Sequence, residues 1–340
     1  MTLDRRRFLQ AGMALASVSL ATGCSRVAPS GWRRVRPRRI GFLNQTSAPQ
    51  VLPPGWIVWR DQLADLGWIE GENLVVEWRH ADDSEERLRE MAADLVRVGV
   101  DVIYAWTPPE TVAALDATSR IPIVAATSYP LQQGLVANPE RPGPNFTGVS
   151  NGDVEADAKR IELLKLCTPG LTRMALIVNG RGQNTPIFFA HADTIIRTTE
   201  SLGIVILSGD VYDNSQLEET ISRLMGRRPD ALYVASSAMF ATRQANTLIA
   251  DLAIRHRLPA VANNVSFTQA GLLLAYGAND LELRRRSAIL VDKVLRGANP
   301  ADLPIERASR FDVGINLKTA ATLGVTIPQL VLDQATYLIR

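Results

Sequence analysis

From residue 39 onward the chain alternates short apolar, often β-branched runs with longer stretches whose apolar positions recur every three or four residues. The pattern predicts strands over 40–44, 73–79, 101–106 and 121–127, and helices over 56–66, 84–97 and 110–117. It then begins again, with strands over 174–179, 204–208, 230–236 and 259–263 alternating with helices over 187–202, 217–227 and 240–255. Leu217, Ile221, Leu224 and Met225 fall on one face of their helix, as do Leu88, Met91, Ala92, Leu95 and Val96. Ser215-Gln216-Leu217-Glu218 has the form of a capping box with the serine as N-cap. Strands such as 102–104 and 121–124 are apolar without alternation, as expected where helices cover both faces of a parallel sheet.

The halves also match locally. Val100-Asp101-Val102-Ile103-Tyr104-Ala105 pairs with Pro229-Asp230-Ala231-Leu232-Tyr233-Val234, and Arg120-Ile121-Pro122-Ile123-Val124-Ala125 with Arg257-Leu258-Pro259-Ala260-Val261-Ala262. The reading is an α/β chain of two similar lobes, each a parallel sheet flanked by helices, joined by a multi-strand hinge. Open α/β folds bind ligands at the carboxyl ends of their strands, so two facing mouths make an inter-lobe cleft. A spare stretch, strand 272–276, helix 280–296 and strand 304–306, is expected to return to the first lobe and cross back. That assigns 39–148 plus about 277–302 to lobe 1, and 149–276 plus about 303–340 to lobe 2.

The start of the chain is different in kind. Arg5-Arg6-Arg7-Phe8-Leu9-Gln10 precedes an uncharged run over 11–23, too short to span a bilayer as a helix and consistent with a signal peptide over 1–23. The arginine pair followed by Phe8-Leu9 resembles a twin-arginine export signal, the alternative being a Sec signal with spare arginines. Leu20-Ala21-Thr22-Gly23-Cys24 resembles a lipobox, with Ala21 where most such signals carry leucine. A diacylated Cys24 would anchor the chain stably to a membrane, and 24–38 reads as a tether.

Composition narrows the function. The 340 residues are 46% hydrophobic, enough for about two domains with their own cores. The net charge of +2 comes from the leader and the tether, so everything from Ile40 onward is acidic, a poor partner for nucleic acid. Two cysteines, Cys24 and Cys167, exclude a disulfide framework, and His80, His191 and His256 lie too far apart for a local metal motif. No P-loop, His-Glu-x-x-His or Cys-x-x-Cys motif occurs, so no cofactor or metal is expected.

Candidate binding chemistry therefore sits in the loops after the strands. Asn44 and Gln45 follow the first strand, Trp106 and Thr107 the third, and Thr127, Ser128 and Tyr129 the fourth. Ser150 ends the linking strand, and the second half offers Asn179, Ser236, Ser237, Asn263 and Asn264. Neutral amides and hydroxyls recurring at strand ends suit a small polar solute, although each alone is commonly a turn or cap residue. Thr107-Pro108-Pro109-Glu110 is a helix start that either holds a ligand carboxylate or simply caps itself.

The chain resembles the solute-binding lipoproteins of ABC importers of the tryptophan/tyrosine type, on a type I periplasmic-binding-protein fold. The segments that carry this include Leu66-Gly67-Trp68-Ile69-Glu70-Gly71-Glu72-Asn73-Leu74, Thr147-Gly148-Val149-Ser150 and Arg160-Ile161-Glu162-Leu163-Leu164-Lys165. The tail adds Asp292-Lys293-Val294-Leu295-Arg296-Gly297 and Ile315-Asn316-Leu317-Lys318-Thr319-Ala320. The resemblance implies a monomeric, extracytoplasmic binder that closes on a small-molecule solute and presents it to an ABC permease. Many relatives carry an acid before the proline after the fourth strand, whereas the order here is Ser128-Tyr129-Pro130, leaving no counter-charge there for a ligand amine.

A rival reading is an exported serine hydrolase. Gly148-Val149-Ser150-Asn151-Gly152 fits the Gly-x-Ser-x-Gly nucleophile elbow, with acids and two histidines downstream.

Overall fold

The fold was obtained as a computed structural model, which describes residues 36–127, 130, 134–150, 154–182 and 186–340. The signal, Cys24, most of the tether, Ser128 and Tyr129 lie outside the described residues. The first half runs β1 (Arg38–Asn44), α1 (Pro54–Asp65), β2 (Leu74–His80), α2 (Glu85–Val98), β3 (Val102–Ala105), α3 (Pro108–Ala117) and β4 (Ile123–Thr127). β5 (Phe146–Ser150) and α4 (Val154–Cys167) lead into the second half. There the order is β6 (Arg173–Asn179), α5 (Pro186–Ser201), β7 (Val205–Val211), α6 (Leu217–Met225), β8 (Ala231–Val234), α7 (Arg243–Arg255) and β9 (Ala260–Ala262). The chain then forms α8 (Val265–Gln269), β10 (Leu274–Ala278), α9 (Asp280–Leu295), β11 (Glu306–Arg307) and β12 (Phe311–Asn316). It ends with α10 (Leu317–Leu323), α11 (Gln329–Leu332) and β13 (Tyr337–Ile339).

Two sheets result among the described residues. One has the order β11-β5-β4-β3-β1-β2 and is parallel throughout; the other has the order β13-β12-β10-β9-β8-β6-β7, with β10 and β12 antiparallel. The architecture is thus the two-lobed, helix-flanked α/β arrangement expected from the alternation. Central strands such as β3, β4 and β8 are buried along their whole length, which is why their sequences do not alternate.

The internal repeat has a physical basis. Asp101 accepts from the Arg39 amide at 2.7 Å while its own amide donates to the Arg39 carbonyl at 2.8 Å. Asp230 accepts from the Thr172 and Arg173 amides at 2.8 and 2.9 Å, and its amide donates to the Arg173 carbonyl at 2.8 Å. Each aspartate fastens the start of its sheet's leading strand. The two prolines occupy equivalent places: the Pro122 carbonyl accepts from the Ile103 amide and the Pro259 carbonyl from the Leu232 amide.

The expected capping box at Ser215 is not what starts α6. Asp213 accepts from the Ser215 amide at 2.9 Å and opens a 3-10 turn over Asn214–Gln216, which runs straight into the helix. The carboxylate one turn earlier satisfies the orphan donors first, leaving the serine inside the turn.

The chain passes between the sheets three times. β5 ends at Ser150 and α4 begins at Val154; β10 ends at Ala278 and α9 begins at Asp280; β11 ends at Arg307 and β12 begins at Phe311. Sheet membership therefore changes a few residues beyond 148, 276 and 302. α9 packs on the first sheet, where Leu283, Ala288, Leu290 and Val291 join Phe42, Trp59, Tyr104 and Val124 in one core. Ser150 and Arg307 end parallel strands of one sheet, while Ala278 pairs with Phe311 in the other. These short crossings bring the carboxyl edges of the two sheets together. The Ala308 amide donates to the Ser150 carbonyl at 3.0 Å and the Asn279 amide to the Arg310 carbonyl at 2.9 Å, tying the crossing segments to each other.

Two glycines are required at the edges. A Cβ at Gly148 would fall on the Ala125 carbonyl oxygen, and one at Gly277 on the Asn263 carbonyl oxygen. In both cases the obstacle is backbone of the neighbouring strand.

Candidate ligand-binding site

The carboxyl edge of the first sheet is a row set by register. Asn44 lies opposite His80, Thr127 opposite Ser150, and Ser150 opposite Arg307, with Trp106 and Thr107 following β3 between them. Asn44 is buried and already engaged: its Nδ2 donates to Thr46 Oγ1 at 2.9 Å and contacts His80 Nδ1 at 3.1 Å. Thr127 is 1% exposed, and its Oγ1 is buried without a hydrogen-bond partner among the described residues, whereas Thr107 is the N-cap of α3 and its side chain joins Glu110 in a capping box. A hydroxyl buried like that of Thr127 is costly unless something else meets it.

Glu110 answers the question posed by the α3 start. Its carboxylate is buried and accepts from the Gln45 amide at 2.8 Å, the Trp106 amide at 2.7 Å and the Thr107 amide at 2.9 Å. The loops after β1 and β3 are thereby fastened together, and the donors that would hold a ligand carboxylate at this helix start are filled by the protein's own side chain. Burial pushes the Glu110 carboxyl above its ordinary range, opposed by those backbone donors.

Trp106 extends an aromatic group. Its ring lies 6.2 Å from Tyr104, which in turn approaches Trp59 at 4.7 Å and Phe42 at 5.1 Å; Trp56 and Trp78 stack at 5.4 Å beside Phe42. The other face of the story is Arg284, whose guanidinium carbon sits 3.4 Å from the Trp106 ring centroid. Arg284 was not among the residues expected from the sequence. The signal was present: an arginine within the buried stripe Leu283, Ser287, Ala288, Leu290 and Val291 of α9.

The second sheet's edge is more self-contained. Asn179 Nδ2 donates to Ser237 Oγ at 3.2 Å, and Asn179 Oδ1 accepts from the Arg181 amide at 3.0 Å. Ser237 Oγ also accepts from the Met239 amide, and Asn264 is the N-cap of α8, accepting from the Ser266 amide at 2.9 Å. Ser236 is exposed and Asn263 half-buried. Beneath them, buried Asp157 in the first turns of α4 binds Arg160, His191 and the Tyr233 hydroxyl, and Arg160 Nε donates to the Tyr276 carbonyl at 2.7 Å. Burial alone would raise the Asp157 carboxyl, but Arg160, His191 and Tyr233 together hold it below the usual carboxylate range. Burial pushes the Tyr104 hydroxyl up to about 12 and the Cys167 thiol up to about 12, which fits an inert, helix-end Cys167.

Ser150 does not have the geometry of a nucleophile elbow. It is the last residue of a paired strand, opposite both Thr127 and Arg307, and its φ is not in the left-handed region. The first glycine of the pattern is explained by the close approach of β4. Two grooves, of about 490 Å³ along Ser208, Asp210, Tyr212 and Arg223 and about 340 Å³ between Trp59, Trp68 and Leu74, include none of the strand-end residues named from the sequence.

Comparison with known proteins decides the family. A family model described as ABC transporter substrate binding protein matches residues 59–339. The chain belongs to this family. Its members supply a transporter's permease with a small-molecule substrate, which excludes the hydrolase reading as the main one. A curated relative, the tyrosine-binding protein of Clostridioides difficile (strain R20291), is 26% identical over 316 residues, covering 90% of this chain and 88% of that one. Two solved structures share the fold. One is an ABC domain from Streptococcus pneumonia in complex with L-Trp, with TM-score 0.78, 22% identity, and coverage of 89% of this chain and 100% of that chain. The other is the ligand-free, open structure of a substrate binding protein with adhesive properties from Clostridium difficile, with TM-score 0.68, 22% identity, and coverage of 89% and 99%. No helix among the described residues is long and apolar enough to cross a membrane.

Proposed function

We propose that this substrate-binding protein works outside the cytoplasmic membrane, taking a small organic solute of amino-acid size between the carboxyl edges of its two sheets. The three crossings act as the hinge, and ligand stabilises the closed form by touching both lobes. The observation that carries this is the buried hydroxyl of Thr127 on the first edge, which has no partner among the described residues. Gln45, Trp106, Ser150 and Asn263 complete the proposed lining; Ser128 and Tyr129, which follow β4 in sequence, lie outside the described residues. Asn44, Asn179, Ser237 and Asn264 shape the loops, since their polar atoms are engaged within the protein. The relatives named for tyrosine and L-Trp favour an aromatic body for the solute. Export by the twin-arginine-like leader and anchoring through diacylated Cys24 would hold a monomer beside its permease. Binding leaves the solute chemically unchanged.

Native mass spectrometry of the exported chain, purified without refolding, tests the reading. The expected result is a non-covalent adduct whose released molecule, added back, raises the Tm and is recovered unaltered. Conversion of that molecule, or the absence of both an adduct and any thermal response to the free amino acids, overturns it.

A further inference from the structure

Arg284 is a charge in an apolar place. It is 6% exposed, on the face of α9 that packs against the first sheet. Its Nε and Nη1 are buried with no hydrogen-bond partner among the described residues. The nearest carboxylate, Asp280, is 3.8 Å from Nε and is itself 41% exposed, so it neutralises the guanidinium weakly. Glu110 is no alternative, because its oxygens are taken by three backbone amides. Desolvating a cation is costly, and stacking on Trp106 offsets only part of that cost. A guanidinium held in this way retains strong in-plane donors for an anion.

Its position is the edge proposed to bind solute. Trp106 follows β3, α9 begins at the crossing after β10, and Gly55 lies in the first turn of α1 after the β1 loop. A Cβ on Gly55 would come within 3.0 Å of Arg284 Nε, so three elements that start at the carboxyl edge converge on this side chain. The first turn of α1 carries no acidic residue, and its dipole adds to the positive field.

We infer that Arg284 receives a carboxylate of the solute, so that the transported molecule is an organic acid or a zwitterion and not a neutral or purely cationic compound. The inference rests on the cleft reading above. Trp106 is then a positioning residue, holding the guanidinium plane while its edge bonds the anion.

Three probes sharing one indole body test it by calorimetry and thermal shift on the exported chain: L-tryptophan, indole-3-propionate with no amine, and tryptamine with no carboxylate. The two carboxylates are expected to bind and raise the Tm, with tryptamine at least about tenfold weaker. Arg284→Gln should lose about tenfold or more in affinity for indole-3-propionate, and Arg284→Lys should fall between the two. Tryptamine binding as tightly as indole-3-propionate overturns the inference, as does undiminished binding of indole-3-propionate by folded Arg284→Gln. If Arg284→Gln does not fold, the contrast between probes on the unaltered chain decides. Binding of none of the three also overturns the inference, whereas the cleft reading stands or falls on the co-purified solute in the native spectrum: a neutral or cationic adduct there sinks this inference alone.

Discussion

The two carboxyl edges are built from the same repeat and finished in opposite ways. On the second, buried Asp157 joins Arg160, His191 and Tyr233 in a network that extends to the Tyr276 carbonyl, and Asn179, Ser237 and Asn264 cap their own loops. On the first, the buried Thr127 hydroxyl and two guanidinium nitrogens of Arg284 have no partner among the described residues. A closed network makes a rigid jaw; unmet donors make a surface that gains when something fills it. Under the proposed function, the first edge would supply more of the recognition and the second more of the shape.

Breaking the second edge should have the largest effect. Asp157→Ala removes the buried carboxylate that Arg160, His191 and the Tyr233 hydroxyl share, and a loss of about 3–5 kcal/mol in unfolding free energy is expected by denaturant titration. Stability within about 1 kcal/mol of the parent chain would show that the network is not a strut. The same carboxylate, held low, contributes stability that is present above the ordinary carboxylate range and lost as pH falls through its folded value. Asp157→Ala should therefore flatten the acid limb of the stability profile.

The matched glycines probe both edges at once. Gly148→Ala and Gly277→Ala each drive a methyl into a neighbouring carbonyl, so each should cost about 3 kcal/mol or more, by similar amounts. Gly41→Ala meets the end of the Leu95 side chain instead of backbone and should cost clearly less.

Glu110→Gln is the corresponding break in the first edge. A glutamine offers one acceptor where the carboxylate receives three amides, so about 1–3 kcal/mol should be lost, with weaker solute binding as the loops after β1 and β3 separate. Here the sign with pH is reversed. The Glu110 carboxyl is raised, so its contribution is fully present below the ordinary carboxylate range and fades as pH rises through its folded value. The gap between parent and variant should accordingly narrow with rising pH in a series of thermal melts.

The smallest stability change sharpens the contrast most. Thr127→Val removes a hydroxyl that has no partner among the described residues, so stability should stay within about 0.5 kcal/mol while affinity for the co-purified solute falls. A marked loss of stability with unaltered affinity would mean that this hydroxyl serves the fold.

How much of this was legible follows from what each signal depends on. Element order was readable because burial on both faces leaves uninterrupted apolar strands, as in β3, β4 and β8. The repeat was readable because Asp101 and Asp230 do the same local task at the start of each sheet. Strand-end placement of Thr127, Ser150 and Asn263 followed from that order. The capping box at Ser215 was misplaced because two carboxylates flank the turn and sequence does not say which reaches the amides first.

The alternation of apolar runs and the spacing of its repeats by themselves determined the two-sheet class and the neutral character of the strand ends. These depend on neighbours within a few residues, where period and cap chemistry are written directly into the chain. Tertiary structure alone decided that Glu110 turns inward across two loops, that Asp157 meets His191 and Tyr233, and that Arg284 comes to rest under Trp106. Those groups are far apart in sequence, and burial changes the value of a charge or hydroxyl only once the walls around it exist.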